Sequence, residues 1–270
     1  MRFFPAGIVI FMVAFAHPVY AKDTVLLEDM TWPEVAQAMK EGKTTVIIPT
    51  GGTEQTGPHI VLGKHNFILK KTSEAIAKQL GDALVAPIMP YVPEGGIHPP
   101  GGHMLFAGTL SLRSETFAAF LEDTARSLKE HGFKTICFVG EHGMSQTVQS
   151  RVADTLSAEW KNEGVRVVQV SDYYDEHNGQ VAWMKTQDAA EENIEAHGGF
   201  ADTSEMLAAY PQGVRAQLVG HHTPADFAAM GVDGSSDHAN KGVGEKLLKL
   251  KVDAAVRQIR AAENVRKSAG

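Results

Sequence analysis

The stretch TTVIIPTGG, residues 44–52, reads as a buried β-strand that runs into a glycine-rich turn. Apolar runs of strand type recur at 83–91 (ALVAPIMPY), 134–140 (KTICFVG) and 165–174 (VRVVQVSDYY). Segments with helical apolar spacing separate them. Alternating strands and helices of this kind predict an α/β fold with three α/β/α layers around a mainly parallel central sheet.

The helices are predicted from apolar spacing and from residues that start and stop helices. Thr31 is placed to cap a first helix that has Pro33 in its first turn and ends at Gly42. The other predicted helices cover residues 66–80, 114–131, 146–161, 181–195 and about 241–266. Segment 92–112 is too rich in glycine and proline for a regular element, so we expect a long functional loop there.

The first 21 residues have the pattern of a cleavable secretory signal peptide. A basic residue, Arg2, precedes an apolar run from Ala6 to Ala16, and Val19 and Ala21 suit an A-x-A-like cleavage site. An uncleaved membrane anchor is the alternative, although the run is short for a bilayer span. We therefore expect a periplasmic or secreted protein, cut after about Ala21, with a single domain over residues 22–270.

The net charge limits the kinds of partner, and the cysteine content limits the kinds of metal site. Without residues 1–21 the chain has 24 Lys and Arg against 32 Asp and Glu, a formal charge of −8. Such a surface argues against nucleic acid and against anionic membranes as partners. Cys137 is the single cysteine, so disulfides are excluded within the chain, and a metal site would need histidines and carboxylates.

Three predicted turns after strands or before helices each carry a histidine and a carboxylate. The turn after the first strand carries Glu54, His59 and His65, the turn at 139–145 carries Glu141 and His142, and the turn at 196–206 carries His197 and Asp202. Loops at the carboxyl ends of parallel strands meet at one edge of the sheet. Two imidazoles and a carboxylate suit Zn²⁺, Mn²⁺ or Fe²⁺ and leave room for a water molecule.

Five motifs resemble those of the creatininase (creatinine amidohydrolase) family, and together they span nearly all of the chain after residue 21. The first loop, GTEQTGPHIVLGKH (52–65), is similar to the family's G-S/T-x-E-Q-H-G-P-H-L-P-L-x-T-D. The others are HMLFAGTLSL (103–112), GEHG (140–143), HGGFADTS (197–204) and GVDGSSDHANKGVGEKLL (231–248).

The resemblance implies a metal centre, and the departures from it alter that centre. Thr56 stands where the family has a histidine for a second metal, His65 replaces a bridging Asp, and Met144 stands where creatininase itself has a Glu. The departures predict one divalent metal ion per chain, most simply Zn, with Mn or Fe as options, held by Glu54, His65 and His142. The alternative is a dead metal centre in which His65 points to solvent.

By the same resemblance, His197 is expected to be the catalytic proton carrier. Asp202 would orient His197 or a metal ligand, or cap a helix that starts near Thr203. Glu141 would be a partner of a catalytic group or a solvated acid. The expected pocket residues are His59, His103, Thr56, Gly198 and Gly199, with His98, His221 and His222 as further options. His59 and His103 would either contact the substrate or support the pocket by packing.

The substrate class implied by the resemblance is a small cyclic amide, formamide or lactone, hydrolysed by a metal-activated water. The alternative function is a non-catalytic periplasmic binding or accessory protein on the same scaffold. Family members usually assemble as rings, so the resemblance also implies a homo-oligomer, with a hexamer as the expected form.

Overall fold

The structure is a computed structural model and describes residues 24–187, 194 and 196–268. Its sheet has the strand order β2-β1-β3-β4, and all neighbouring strands are parallel. The strands are β1 (Thr45–Thr50), β2 (Ala83–Val85), β3 (Thr135–Gly140) and β4 (Arg166–Gln169). Every residue of β1 and β3 is buried, as expected for central strands covered on both faces.

Eight α-helices connect or flank the strands in the described part of the chain. They are α1 (Trp32–Lys40), α2 (Lys64–Leu80), α3 (Ser114–Glu130), α4 (Gly143–Glu159), α5 (Gln180–Lys185), α6 (Phe200–Ala209), α7 (Phe227–Met230) and α8 (Lys241–Ser268). No helix among the described residues is long and apolar enough to cross a membrane.

The two faces of the sheet carry separate apolar cores. On one face, Val46 and Ile48 of β1 pack in a cluster with residues of α1, α3 and α4. On the other, Ile47 of β1 packs with residues of α2 and α8. Because successive strand residues point to opposite faces, one strand supplies both cores. The predicted three-layer α/β/α fold with a parallel sheet is therefore confirmed.

Two predicted strands are shorter in the structure. The 83–91 run forms regular strand only at Ala83–Val85, with an isolated bridge from Met89 to Thr50. Pro87 and Pro90 lack the N–H that a continuous ladder needs. In the 165–174 run, β4 ends at Gln169 and a 3-10 turn follows at Ser171–Tyr173.

Several helix boundaries also differ from the prediction. Helix α4 begins at Gly143 instead of Gln146, and α6 begins at Phe200 instead of Thr203. The predicted 181–195 helix is regular at Gln180–Lys185, and residues 188–193 and 195 lie outside the described residues. The early start of α4 makes His142 its N-cap, directly after β3.

Candidate metal centre

Glu54 lies just beyond β1 in a turn that is held against the start of α2. The Asn66 side chain accepts a hydrogen bond from Gly52 N and donates one to Gly52 O. A Cβ on Gly51 would lie 2.0 Å from Asn66 Oδ1, so the close approach requires glycine. This turn brings the Glu54 carboxylate, which is 1% exposed, to the carboxyl edge of the sheet.

His65 and His142 approach the two oxygens of Glu54 from different elements. His65 is in the first turn of α2, and its Nε2 lies 2.8 Å from Glu54 Oε1. His142 follows β3, and its Nε2 lies 2.8 Å from Glu54 Oε2. Ligand atoms of the three residues all lie within 4.8 Å of one another. His65 is buried, so it does not point to solvent as the dead-centre alternative required.

Glu94, which sequence reasoning did not single out, completes this cluster. It is 0% exposed, and its Oε2 lies 2.8 Å from His142 Nε2. The glycine- and proline-rich loop that carries Glu94 is predicted to be functional, but that prediction rests on the histidines of the loop and not on Glu94. A lone carboxylate in a loop matches no ligand spacing, so only its buried position in the fold identifies it.

The carboxylates and imidazoles of the cluster perturb one another. Burial opposes the charge of Glu54, but His65 and His142 hold the pKa of Glu54 well below its usual range. Burial and then the Lys64 charge lower the pKa of His65 to about 3. Burial would lower the pKa of His142, but its contacts with Glu54 and Glu94 raise it to about 9. Burial raises the pKa of Glu94.

The donor set fits a divalent cation. Glu54 Oε2 and both oxygens of Glu94 are buried, and no hydrogen bond of acceptable geometry from a described residue reaches them, although His142 Nε2 lies 2.8 Å from one oxygen of each acid. Buried carboxylate oxygens normally accept a hydrogen bond, so their convergence calls for another source of positive charge. Neighbouring ligand atoms around an octahedral ion with bonds of about 2.1 Å lie about 3 Å apart, close to the separations in this cluster.

His103 and His197 lie beside this cluster and are linked by Gln55. With Glu54 they form a second group whose ligand atoms lie within 4.8 Å of one another. His197 Nε2 lies 2.9 Å from the Gln55 backbone oxygen, and Gln55 Nε2 lies 2.9 Å from His103 Nδ1. The two imidazole rings are 4.6 Å apart. Sequence reasoning gave both histidines a role here, but did not predict that Gln55 would position them.

A cavity of about 780 Å³ opens onto the cluster. Its wall includes Glu54, His65, His103, His142 and His197. Of the other residues expected at the pocket, several are not among the described residues that line this cavity: His59, Thr56, Gly198, Gly199, His98, His221 and His222.

Two of these expected pocket residues are packed behind the cavity. His59 is 0% exposed, and its Nε2 lies 2.9 Å from Thr203 Oγ1. Burial and then the charge of His222 lower the pKa of His59 to about 4. Thr56 is also fully buried, against Gly198, where φ is +68°. Their surroundings are those of residues that support the pocket by packing, and direct substrate contact by either stays a prediction.

Asp202 pairs with Lys64, and its role in orienting His197 or a metal ligand stays a prediction. Its Oδ2 accepts hydrogen bonds from Lys64 Nζ and from Gly198 N, each at 2.9 Å. The N-cap of α6 is Gly199, so Asp202 lies within the first turn and is not the cap. Burial opposes its charge, but Lys64 holds the pKa of Asp202 well below its usual range. The contact fixes Lys64, next to His65, against α6.

Glu141 is buried, which rules out the solvated acid considered from the sequence. Its carboxylate accepts hydrogen bonds from Lys251 Nζ and from the Tyr173 hydroxyl. Lys251 Nζ also lies 3.1 Å from Glu205 Oε2. This network lies at the cavity wall but engages α8 and α6, so a catalytic role for Glu141 stays a prediction.

The parallel sheet and the buried histidine and carboxylate cluster at its edge define an α/β/α protein with a candidate metal centre. The sequence matches the creatininase family, described as creatinine amidohydrolase, over residues 28–259. The chain therefore belongs to the creatininase family, as the motifs indicated. By class it is a metal-dependent amidohydrolase.

Relatives and solved structures agree with this assignment at low identity. Creatinine amidohydrolase of Pseudomonas putida is 26% identical over 88% of this chain and 96% of its own. A mycofactocin precursor peptide peptidase of Mycobacterium tuberculosis is 25% identical over 80% of this chain and 84% of its own. A structure described as creatininase with Mn has a TM-score of 0.75 at 26% identity, covering 88% of this chain and 98% of that one.

Metal content varies among these structures. A mutant creatininase of the Zn-Zn type has a TM-score of 0.74 at 25% identity, over 89% of this chain and 99% of that one. Family membership thus supports a metal at this site in general, and leaves its identity to the ligands of each chain.

Proposed function

We propose that this protein hydrolyses a small cyclic amide, formamide or lactone at a centre with one metal ion, Zn²⁺, Mn²⁺ or Fe²⁺, held by Glu54, His65 and His142. The convergence of these three buried side chains on one point of the cavity wall is the observation that carries the proposal. A divalent ion there supplies Lewis-acid polarisation of a carbonyl and a water molecule of lowered pKa.

A single ion is proposed because the chain lacks the second-site residues of its family. Thr56 is fully buried, and its hydroxyl is a poor ligand for Zn²⁺. Met144 is exposed and carries no charge. In the second group, Glu54 with His103 and His197, Gln55 contacts His197 Nε2 and His103 Nδ1, while His103 Nε2 lies 3.6 Å from Glu54 Oε2. The contact of His197 Nε2 with the Gln55 backbone oxygen favours a role for His197 other than ligation.

His197 is the residue proposed to carry a proton to the leaving nitrogen or oxygen. It lines the cavity beside the cluster, and Gln55 and the neighbouring His103 fix the plane of its ring. A general acid or base must reach the reacting group within hydrogen-bond distance, and a wall position next to the metal ligands meets that need. His103, on the same wall, would contact the substrate.

Metal analysis tests the centre directly. The purified protein should hold about one metal ion per chain, and saturating Zn²⁺ or Mn²⁺ should raise its stability by a few kcal/mol. The variant His65→Ala should lose both effects, whereas His177→Ala should keep them. His177 is exposed and forms a group with the half-buried Asp172 and Asp175, so it controls for adventitious binding outside the cluster. The proposal would be contradicted if the purified protein held no metal and its melting temperature did not change on addition of Zn²⁺ or Mn²⁺.

Turnover separates an enzyme from a binding protein on the same scaffold. A panel of lactams, formamides and lactones should include at least one compound that the metal-loaded protein hydrolyses. His197→Ala should reduce kcat by about 100-fold or more, the usual range for a lost general acid or base, with metal content unchanged. Bound metal without hydrolysis of any compound in the panel would favour the accessory protein.

We further propose that the protein is exported and forms a homo-oligomer. The basic and apolar pattern of residues 1–21, which lie outside the described residues, supports export. The family resemblance supports a ring, with a hexamer as the expected form. Mass spectrometry of the periplasmic or secreted protein should find a new N-terminus at about Lys22, and light scattering should give several times the chain mass.

A further inference from the structure

Glu94 is a fully buried acid that no hydrogen bond in the described structure accounts for. Both its oxygens lack a hydrogen-bond partner among the described residues, although Oε2 lies 2.8 Å from His142 Nε2. Burying an unpaired carboxylate costs several kcal/mol. A side chain kept in such a position needs a compensating charge.

The surrounding backbone holds Glu94 in place. Its N–H donates to Ser111 Oγ at 2.9 Å, and Val92 forms a parallel bridge to Ser111. The side chain occupies the space left by the missing Cβ of Gly52, since a Cβ there would lie 2.3 Å from Glu94 Oε1. The loop that carries Glu94 and the turn that contains Gly52 thus pack against each other around the carboxylate.

The protein groups around Glu94 do not neutralise it. Glu54 is a second buried carboxylate at the same point, and both approach the single Nε2 of His142 at 2.8 Å. One imidazole nitrogen carries at most one proton, so it cannot satisfy two carboxylates. Lys64, the nearby cation, is paired with Asp202 at 2.9 Å. A divalent ion would balance both acids at once.

We propose that Glu94 is a direct ligand of the metal, alongside Glu54, His65 and His142. The inference rests on the proposed metal centre and deepens it. The family's acidic residue at the position of His65 is lost, and Glu94 returns a carboxylate to the centre from a different loop. Two carboxylates and two neutral imidazoles balance a divalent charge.

Four protein ligands also bear on which ion is suitable. They would fill a tetrahedral zinc site, whereas an ion that accepts five or six ligands keeps positions for water and substrate. A hydrolytic centre of this composition therefore favours Mn²⁺ or Fe²⁺, or Zn²⁺ with an expanded coordination shell.

The test compares metal affinity and coordination in wild type and Glu94→Gln. Loss of a direct ligand should weaken Mn²⁺ and Zn²⁺ binding on the order of 100-fold or more in a chelator competition. It should also change the visible absorption spectrum of the Co²⁺-loaded protein, which reports ligand number. Glu176→Gln is the matched control, because Glu176 is an exposed acid at the wall of the cavity that opens onto the cluster; its affinity and spectrum should match those of wild type.

A second variant displaces the Glu94 carboxylate without changing its charge. A Cβ on Gly52 would lie 2.3 Å from Glu94 Oε1 and 3.3 Å from His65 Cδ2, so Gly52→Ala should displace chiefly the Glu94 carboxylate and weaken metal binding, while Gly220→Ala, which meets nothing within 4 Å, should not. This pair decides the matter if Glu94→Gln fails to fold.

Each other outcome has a defined meaning. Wild type that binds metal while Glu94→Gln keeps its affinity and Co²⁺ spectrum would overturn ligation by Glu94 and leave the proposed centre intact. Lost hydrolysis at unchanged affinity and spectrum would likewise overturn it, and would place Glu94 at the substrate. Wild type without metal would instead overturn the proposed function itself.

Discussion

Lys251 is a buried cation held between two carboxylates at the cavity wall. Its ammonium group contacts Glu141 and Glu205, and the residue is 5% exposed. Burial would lower the pKa of Lys251, but these two acids raise it well above its ordinary value. Because the charges are buried together, each depends on the others for its solvation.

Removal of the Lys251 charge should strongly lower the free energy of unfolding. Lys251→Met would leave Glu141 and Glu205 buried without their cation, at a cost of about 3–5 kcal/mol in the free energy of unfolding. Lys249→Met, two residues away on the exposed side of α8, removes a pair with Asp253 and should cost less than about 1 kcal/mol. Denaturant unfolding of both variants measures the contrast, and equal losses would mean that the buried network contributes no more than a surface pair.

Residues that directly follow a strand could be located from sequence, and residues placed by loop packing could not. Glu54 and His142 lie in the short turns that follow β1 and β3, so the parallel sheet predicts that they meet at one edge. Glu94 depends on the path of a loop around Gly52, and Lys64 on its partner in α6. Such contacts join distant segments and leave no periodic signal in the sequence.

At the scale of elements, α6 and α8 approach each other closely at one glycine. A Cβ on Gly244 would lie 1.8 Å from the Ser204 backbone oxygen and 2.9 Å from Ala208 Cβ. Both contacts are with α6, the helix that also carries Asp202 and Glu205. The positions of these acids relative to the cavity therefore depend on how closely α8 can pack.

A methyl group at this crossing should push the helices apart. Gly244→Ala should lower the free energy of unfolding by about 3 kcal/mol, because the clash is with backbone that cannot rotate away. Gly242→Ala, one residue into the same helix, meets its nearest atom, a side-chain oxygen, at 3.4 Å and should be neutral or slightly stabilising. Thermal unfolding compares them; a stable Gly244→Ala protein would mean that the crossing is more adaptable than its geometry indicates.

Element types could be predicted from sequence better than element ends. Apolar runs identify β1 and β3 in full because both are covered on two faces. The run at 83–91 is equally apolar, but its prolines confine the regular strand to three residues. The start of α6 at Phe200, which decides the surroundings of Asp202, depends on the Gly198–Gly199 turn packing on Val232 and Ala196. That packing comes from the tertiary fold.

At the scale of the whole molecule, two apolar cores on opposite faces of one sheet unite helices from both halves of the chain. Helix α8, the last helix of the chain, packs on α2 and α6. It therefore covers the same face of the sheet as α2, which comes early in the chain. This arrangement is compatible with one folding unit over residues 22–270, which stays a prediction. The free energy of unfolding of the whole chain should then depend on pH through any buried group whose pKa differs between the folded and unfolded states.

His59 provides such a link between pH and global stability. Burial and the charge of His222 lower its pKa to about 4 from the ordinary 6.5, with Asp202 and His197 as the other charged groups that affect it. The folded state thus favours the neutral imidazole. Its contribution to stability is complete above pH 6.5 and declines as the pH falls toward 4, because the unfolded chain takes up the proton first.

The variant His59→Gln should remove this dependence. Gln can still place a polar atom near Thr203 Oγ1, so the loss at pH 7 should be small. Relative to wild type, the variant should gain about 2 kcal/mol between pH 6.5 and pH 5, at about 1.4 kcal/mol per pH unit. Urea unfolding at several pH values measures the difference, with His131→Gln, at an exposed histidine that ends α3, as the control. A wild-type-minus-variant difference that stays constant across this range would mean that His59 ionises alike in folded and unfolded protein.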